Sequence, residues 1–385
     1  STITSLSESP VKEGLIWAGT DDGLIQITQD GGTNWKAIPI KSLPGVPETA
    51  FVNDIKADRY DASTAFVVLD NHKNGDFMPY VLKTTDLGKT WKSIRANLPE
   101  RTITWRIVQD HIVKELLFLA TEFGIYTTLD GGNSWIQLKG GLPVISFRDL
   151  AIQQRENDLV AASFGRGFYV LDDYTPLREL ASKGLKDKPA LFPVKDAWWY
   201  IQRQLLGDDR KATQGDNWFV ADNPPFGAVF TVYIDSALKT PEKIRKEIEA
   251  PLIKEAKDVP FPGWDALEAE RMYAEPLWYL VITDHKDEFV NKVAVANISG
   301  LQRVTWDLRK PSVSAIWRDQ GDWNPVGPMV VPGFYTARLF SEVNGEARQV
   351  AEPQRFEVKQ LRNGTLQASS HDDLAAYWDE TEQLS

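Results

Sequence analysis

Three carboxylates, Asp30, Asp86 and Asp130, recur at one place in a short phrase: TQDGGTNW over 28–35, TTDLGKTW over 84–91 and TLDGGNSW over 128–135. A repeated acid could act as a general acid or base, or as a metal ligand. Its neighbours point elsewhere. Each phrase reads Thr-x-Asp-x-Gly-x-x-Trp, and that is turn chemistry. The Asp side chain can accept hydrogen bonds from the backbone N–H groups that follow it, and Gly32, Gly88 and Gly132 can take the positive φ a bend requires. Trp35, Trp91 and Trp135 then restart a strand and carry a large apolar surface toward a core. On this reading the three acids are structural.

The other chemistry-bearing residues are dispersed. His72, His111, His285 and His371 stand apart, with no i, i+4 pair. The chain has no Cys, so neither a disulfide nor a thiolate metal site can form. No metal centre or cofactor is expected; loop carboxylates near Asp70 or at Asp208–Asp209 offer at most a calcium site. The glycines are turn glycines and form no phosphate-binding loop. Among the aromatics, Trp198, Trp199 and Tyr200 cluster, and strand alternation predicts that one of the two Trp is buried. Trp317 and Trp323 lie in polar surroundings near Pro325 and are the candidates for surface binding.

The elements that position these residues can be read outward from the phrases. Ahead of each lie three apolar runs of strand length. They are Ile3–Leu6, Ile16–Thr20 and Leu24–Ile27; then Phe51–Ala57, Phe66–Leu69 and Tyr80–Leu82; then Ile103–Val108, Leu117–Thr121 and Ile125–Thr127. The Asp turn joins the third strand of each unit to a fourth, and the polar stretch 70–77 reads as extra loop. Four strands in roughly 40–50 residues make one blade of a β-propeller. A fourth unit, Arg148–Ile152, Leu159–Ser163 and Phe168–Leu171, keeps Asp172 but has Tyr174 and Leu177 in place of the Gly and Trp. Propeller blades are therefore expected over 1–178, and the charged stretch 179–190 reads as a linker. Four blades can close a ring, but larger rings are more usual. The chain is therefore expected to be the C-terminal part of a longer propeller protein, with missing N-terminal blades as a partner.

From 191 to 360 the pattern changes to about seven strand-length runs with Gly/Pro turns, the pattern of an immunoglobulin-like sandwich. A helical insertion is expected at about 240–275. Thr240 can cap a helix, Pro241 suits its first position, and 265–274 is a second helix candidate. This insertion is a solvated hairpin or a partner-docking arm. In the polar tail, 361–385, Ser370 and Asp373 mark a further helix start. The whole is all-β in class.

Composition narrows the partners. The 385 residues carry a net charge of −11, which argues against nucleic acid. No apolar run is long enough to span a membrane as a helix. No signal peptide is visible, although the chain starts at Ser1 and a leader ahead of it is an open expectation.

The three phrases resemble the Asp-box, or BNR, repeat of sialidases, xyloglucan-hydrolysing propellers and sortilin-type receptors. The longer unit LIWAGTDDGLIQITQDGGTNW looks most like bacterial sortilin-like proteins, often labelled BNR-repeat glycosyl hydrolases. LFPVKDAWWY, ADNPPFGAVFTVYI, LQRVTWDLRKP and VVPGFYTARL resemble the sandwich that follows the propeller in those proteins. VITDHKDEFV, TWDLR and VPGFYTARL also resemble the immunoglobulin-like fold of the flagellar hook-capping family. Together the likeness covers most of 1–360. It implies a secreted or envelope-associated bacterial protein, and it is specific for fold rather than activity.

A sialidase would need three arginines around a carboxylate, with a Tyr and Glu pair. Arg106, Arg148 and Arg166 match no such signature and read as loop or pore-lining residues. The xyloglucan-hydrolysing type uses two carboxylates across a cleft, one of them in an Ala-x-Thr-Asp-x-Gly stretch ahead of the third strand. That resemblance singles out Asp21 in Ala18–Gly23 and Glu122 in Ala120–Gly124 as the candidate catalytic acids. Ordinary turn chemistry explains both residues as well. The leading expectation is a non-catalytic binding or scaffold protein that holds a peptide, protein or glycan; a glycoside hydrolase with paired carboxylates is the alternative.

Overall fold

The computed structural model describes residues 2–183, 188–202, 224–312, 326–362 and 370–383. The chain divides into two units, Ser1–Leu185 and Lys186–Ser385.

The first unit is a row of small antiparallel sheets, each a simple meander. β1 (Ile3–Glu8), β2 (Ile16–Thr20), β3 (Leu24–Thr28) and β4 (Lys36–Pro39) form the first. β5 (Phe51–Ala57), β6 (Ala65–Asn71), β7 (Asp76–Thr84) and β8 (Lys92–Ser93) form the second. β9 (Thr104–Gln109), β10 (Leu117–Thr121), β11 (Gly124–Thr128) and β12 (Ile136–Gln137) form the third. The fourth has three strands only, β13 (Phe147–Gln153), β14 (Asp158–Ser163) and β15 (Phe168–Leu171). The first strands lie side by side, β1 against β5, β5 against β9 and β9 against β13. This is the arrangement of propeller blades. Among the described residues no packing of similar extent joins the fourth sheet back to the first, so the four blades form an open arc.

Strand alternation explains how the blades stack. Side chains on a strand point to opposite faces in turn, so each blade offers one apolar face to its predecessor and one to its successor. In the second blade Val67 and Leu69 pack toward the first, while Phe66 and Val68 pack toward the third. Buried on both faces, β6 and β10 read as continuous apolar runs, as double-sided burial requires.

Two expectations need correction here. The stretch 70–77 is the tip of the β6–β7 hairpin rather than spare loop: both strands extend into it around a 3₁₀ turn at His72–Asn74, and Asp70 and Asn71 are buried. The linker expected from 179 begins instead as helix α1 (Thr175–Lys183), which takes the place of a fourth strand in the last blade. Its polar composition hides an apolar stripe: Leu177, Leu180 and Ala181 pack onto or beside the core between the third and fourth blades. Arg178 reaches back to Asp110, donating from Nη2 at 2.8 Å and Nε at 3.0 Å, and Tyr174 Oη donates to the same carboxylate at 2.6 Å.

The second unit has two sheets over one core. β16 (Ala190–Leu191), β18 (Ala228–Ile234) and β21 (Gly300–Trp306) make the smaller. The larger runs β17 (Ala197–Trp199), β24 (Gln354–Gln360), β22 (Gly333–Val343), β19 (Leu277–Thr283), β20 (Phe289–Val295), with β23 (Glu346–Gln349) on β22. Phe230 and Val232 of one sheet meet Leu280, Leu339 and Phe356 of the other in the shared core. Trp199 packs on that core and donates from Nε1 to the Val330 carbonyl at 2.7 Å, while Trp198 on the opposite face is exposed. Between β18 and β19 come α2 (Pro241–Lys254), capped by the Thr240 hydroxyl, and α3 (Trp264–Met272). The tail forms α4 (His371–Gln383), started by a reciprocal pair in which Ser370 Oγ accepts from Asp373 N and Asp373 Oδ2 from Ser370 N. No helix of the described residues is long and apolar enough to cross a membrane.

Candidate functional site

The three Asp phrases fold into one bend. Asp30, Asp86 and Asp130 each accept through Oδ1 from a backbone N–H four residues on, that of Asn34, Thr90 and Ser134, all at 2.9 Å. Thr28, Thr84 and Thr128 donate to the same oxygens and accept from the N–H of Gly32, Gly88 and Gly132. The N–H and side chain of Asn34 hold the Asp30 carboxyl down to about 2, and the side chain and N–H of Thr90 do the same for Asp86. Such acids have no proton to give at neutral pH. A hollow of about 310 Å³ on the outer edge touches the third bend, with Lys83, Lys92 and Glu115 around it, but Asp130 is already saturated by Thr128, Asn133 and Ser134.

The glycines take φ of 96°, 74° and 98° at Gly32, Gly88 and Gly132, where a side chain would be strained. Two of the indoles go where turn chemistry predicts. Trp91 meets Trp17 of the first blade edge to face at 6.1 Å, and Trp135 donates to the Ile94 carbonyl of the second blade at 2.8 Å. Trp35 does not: it is 43% exposed, against 8% for Trp91 and 3% for Trp135. The reason is positional. Trp91 and Trp135 are each covered by the preceding blade, and among the described residues no sheet packs on that side of the first.

Asp21 and Glu122 occupy equivalent turns between second and third strands, yet do different things. The N–H of each bonds the chain just ahead of its blade's first strand, Asp21 to Thr2 O and Glu122 to Ile103 O. The Asp21 carboxylate accepts from Thr2 N at 2.7 Å, and that bond holds its pKa down. It staples the start of the first blade. The Glu122 carboxylate lies in a cleft of about 380 Å³ lined by His72, Phe77, Arg101, Trp105, Phe123 and Arg148, with Ile103 beneath. One oxygen, Oε2, accepts from Trp105 Nε1 at 3.0 Å and Ser146 Oγ at 2.9 Å, with Arg148 Nη2 at 3.9 Å. The Arg148 guanidinium lies 3.5 Å from the centre of the Trp105 ring, and Arg101 stacks on Phe77 at 5.4 Å. Asp21 does not line this cleft, so the two candidate acids are not brought together there. Among the described residues Glu122 is the only carboxylate that lines the cleft.

Sequence reasoning missed how Trp105 and Arg148 come to face this cleft. Every first strand carries a β-bulge at the same step, leaving Thr4, Asn53, Trp105 and Arg148 out of the ladder. A bulge re-aims a side chain. The following residues, Ser5, Asp54, Arg106 and Asp149, join across the arc. Ser5 Oγ donates to Asp54 Oδ1 at 3.0 Å, Arg106 Nη1 lies 3.2 Å from the same oxygen, and Arg106 Nε lies 3.4 Å from Asp149. Asp54 is fully buried, and burial pushes its carboxyl up against the pull of Lys56 and Arg106. The signal was a polar residue directly after the bulged one, breaking the apolar run of each first strand: Ser5, Asp54, Arg106 and Asp149.

The remaining candidates are quickly placed. Arg166 lies on the β14–β15 turn, its N–H bonding Ser163 Oγ. Asp70 is engaged by the backbone N–H and Nδ1 of His72. Trp317, Trp323, Asp208 and Asp209 lie outside the described residues.

No family model matches the chain, and no curated protein matches it. Among solved structures it is similar to YCF48 bound to D1 peptide, at 21% identity over 45% of this chain and 52% of that one, TM-score 0.35. It is similar also to YCF48 from Cyanidioschyzon merolae, at 19% identity over 44% and 53%, TM-score 0.34. A third is the GH74 xyloglucanase from Xanthomonas campestris, at 12% identity over 90% of this chain and 45% of that one, TM-score 0.37. The chain spans about half the length of each. Likeness at this level extends to neither activity nor ligand.

Proposed function

We propose that this is a non-catalytic binding or scaffold protein of the sortilin-like Asp-box type, secreted or held in a bacterial envelope, with an immunoglobulin-like second unit. Its ligand site is the cleft around Glu122, and the ligand is a peptide segment carrying a carboxylate. One observation carries the reading. The cleft sets two guanidinium groups, Arg101 and Arg148, on aromatic rings beside a single carboxylate whose Oε2 is already bonded. Forked guanidinium donors hold a carboxylate well, and the ring faces beneath them keep the guanidinium groups in place. Hydrolysis of a glycosidic bond needs a second acid about 5–9.5 Å away, and none lines the cleft among the described residues.

The test is titration of the full chain with acidic and neutral peptide arrays and with acidic oligosaccharides. Acidic peptides are expected to bind, and Arg148→Ala or Arg101→Ala to weaken them about tenfold or more, the worth of one charged hydrogen bond. Binding confined to oligosaccharides would replace the peptide by a glycan. The hydrolase alternative draws on the position of Glu122 in the cleft. Polysaccharide turnover that disappears in Glu122→Gln would establish it and overturn the binding reading.

A further inference from the structure

The turn between second and third strands carries an acid in the first blade and in the third, and the two are engaged to different degrees. The Asp21 carboxylate is taken by Thr2 N at 2.7 Å. Glu122 is held through one oxygen. Trp105 Nε1 and Ser146 Oγ both donate to Oε2, and Ser146 Oγ in turn accepts from Arg148 Nε at 3.1 Å. Two donors on one oxygen fix the position of the carboxylate. Oε1 has no hydrogen-bond partner among the described residues, and the side chain keeps 31% of its surface exposed.

The next ring along the chain is open. Phe77 carries the Arg101 guanidinium at 5.4 Å, and Trp105 carries that of Arg148 at 3.5 Å. Phe123 lines the same cleft and is 47% exposed, yet among the described residues no cation lies over it. Its backbone is fixed: the N–H donates to Thr121 Oγ1 at 3.2 Å, and the carbonyl accepts from Gln137 Nε2 at 3.0 Å. The cleft is therefore bipolar. Arg101 and Arg148 offer donors, while Glu122 and Phe123 offer an acceptor oxygen and a ring face. An ammonium or guanidinium group is attracted to both of these, by charge and by the quadrupole of the ring.

We propose that Glu122 and Phe123 form a cation subsite, and that the ligand is a peptide segment carrying a lysine or arginine close to its acidic residue. The inference rests on the reading of this cleft as a site for a carboxylate-bearing peptide, and it narrows that ligand. Arg148 Nη2 and Glu122 Oε2 lie 3.9 Å apart, so the two ligand groups they hold are themselves neighbours. An extended chain advances about 3.3 Å per residue, which places the basic residue within about three positions of the acidic one. A second acid in its place would set like charges against each other at Glu122. Glu122 thus determines specificity: it selects the sign of the charge that accompanies the ligand's carboxylate.

The experiment titrates the full chain with isomeric peptides of a single composition, each with one Glu and one Lys in a neutral background. The Lys stands near the Glu in one set and at the far end in the other, so the net charge is the same. The best of the near isomers is expected to bind about tenfold or more tighter than the far one, as a charged hydrogen bond would give. Glu122→Gln keeps the shape and removes the charge, and should cut that ratio to about threefold or less, which is what the ring alone supplies. Phe123→Leu should lower the ratio about threefold. Equal binding of near and far isomers by the wild type would overturn the cation subsite and leave the acidic-peptide reading standing. A ratio unchanged in Glu122→Gln would overturn it as well. Binding of neither isomer would overturn both.

Discussion

At the scale of single residues, the three repeated indoles separate what a motif specifies from what its surroundings supply. Trp135 is enclosed and donates to Ile94 O; Trp35 closes the same Thr-x-Asp-x-Gly-x-x-Trp phrase and has almost half its surface in water. Replacing a buried Trp by Ala costs about 3–5 kcal/mol. Trp135→Ala is expected to fall in that range and Trp35→Ala well below it, below about 2 kcal/mol in the isolated chain; urea unfolding of the two variants checks the difference. The bends also set a pH dependence. Asp30 and Asp86 are near 2 in the fold, below their unfolded value of about 3.9. A depressed acid stabilises the fold above its unfolded pKa, and that stabilisation disappears as the pH falls through the folded one. The thermal midpoint should drop between about pH 4 and pH 2, and the drop should be shallower in Asp86→Asn. Asp54 has the opposite sign: its raised carboxyl favours the fold at low pH and costs stability as the pH rises.

At the scale of elements, α1 shows how a worn repeat is repaired. The fourth blade lacks the Gly and Trp of the Asp phrase and has no fourth strand among the described residues, and the helix supplies apolar cover there. It is fastened by the ion pair of Arg178 with Asp110, a carboxylate that is fully buried. Burial pushes the Asp110 pKa up, but the hydrogen bonds from Arg178 and Tyr174 outweigh it and hold the pKa below the usual carboxylate value. Removing one partner of a buried pair costs about 3–5 kcal/mol because a charge is left unmet. Arg178→Ala should therefore release α1, seen as faster amide exchange over 175–183 and the fourth blade. The strands themselves were legible, because apolar runs and turn residues mark them locally. The helix was not, because 178–190 is rich in charge and its stripe matters only once a core lies beneath it. The bulges were half legible: the polar residue that interrupts each first strand is visible in the sequence, but its meaning depends on the neighbouring first strand.

At the scale of the whole molecule, neighbouring blades share their cores, so each blade is held by the one beside it. The cleft is a product of that stacking, since its walls come from the second, third and fourth blades.

The sequence by itself determined the unit of construction. Three Thr-x-Asp-x-Gly-x-x-Trp bends between strand-length apolar runs dictate blades, because bends and alternation are settled by residues only a few positions apart. Only the tertiary structure decided that Glu122 and not Asp21 faces a cleft, that Trp35 lacks the cover Trp91 and Trp135 enjoy, and that the arc stays open. Each of those is a contact between residues from different blades, and no spacing along the chain records which faces meet.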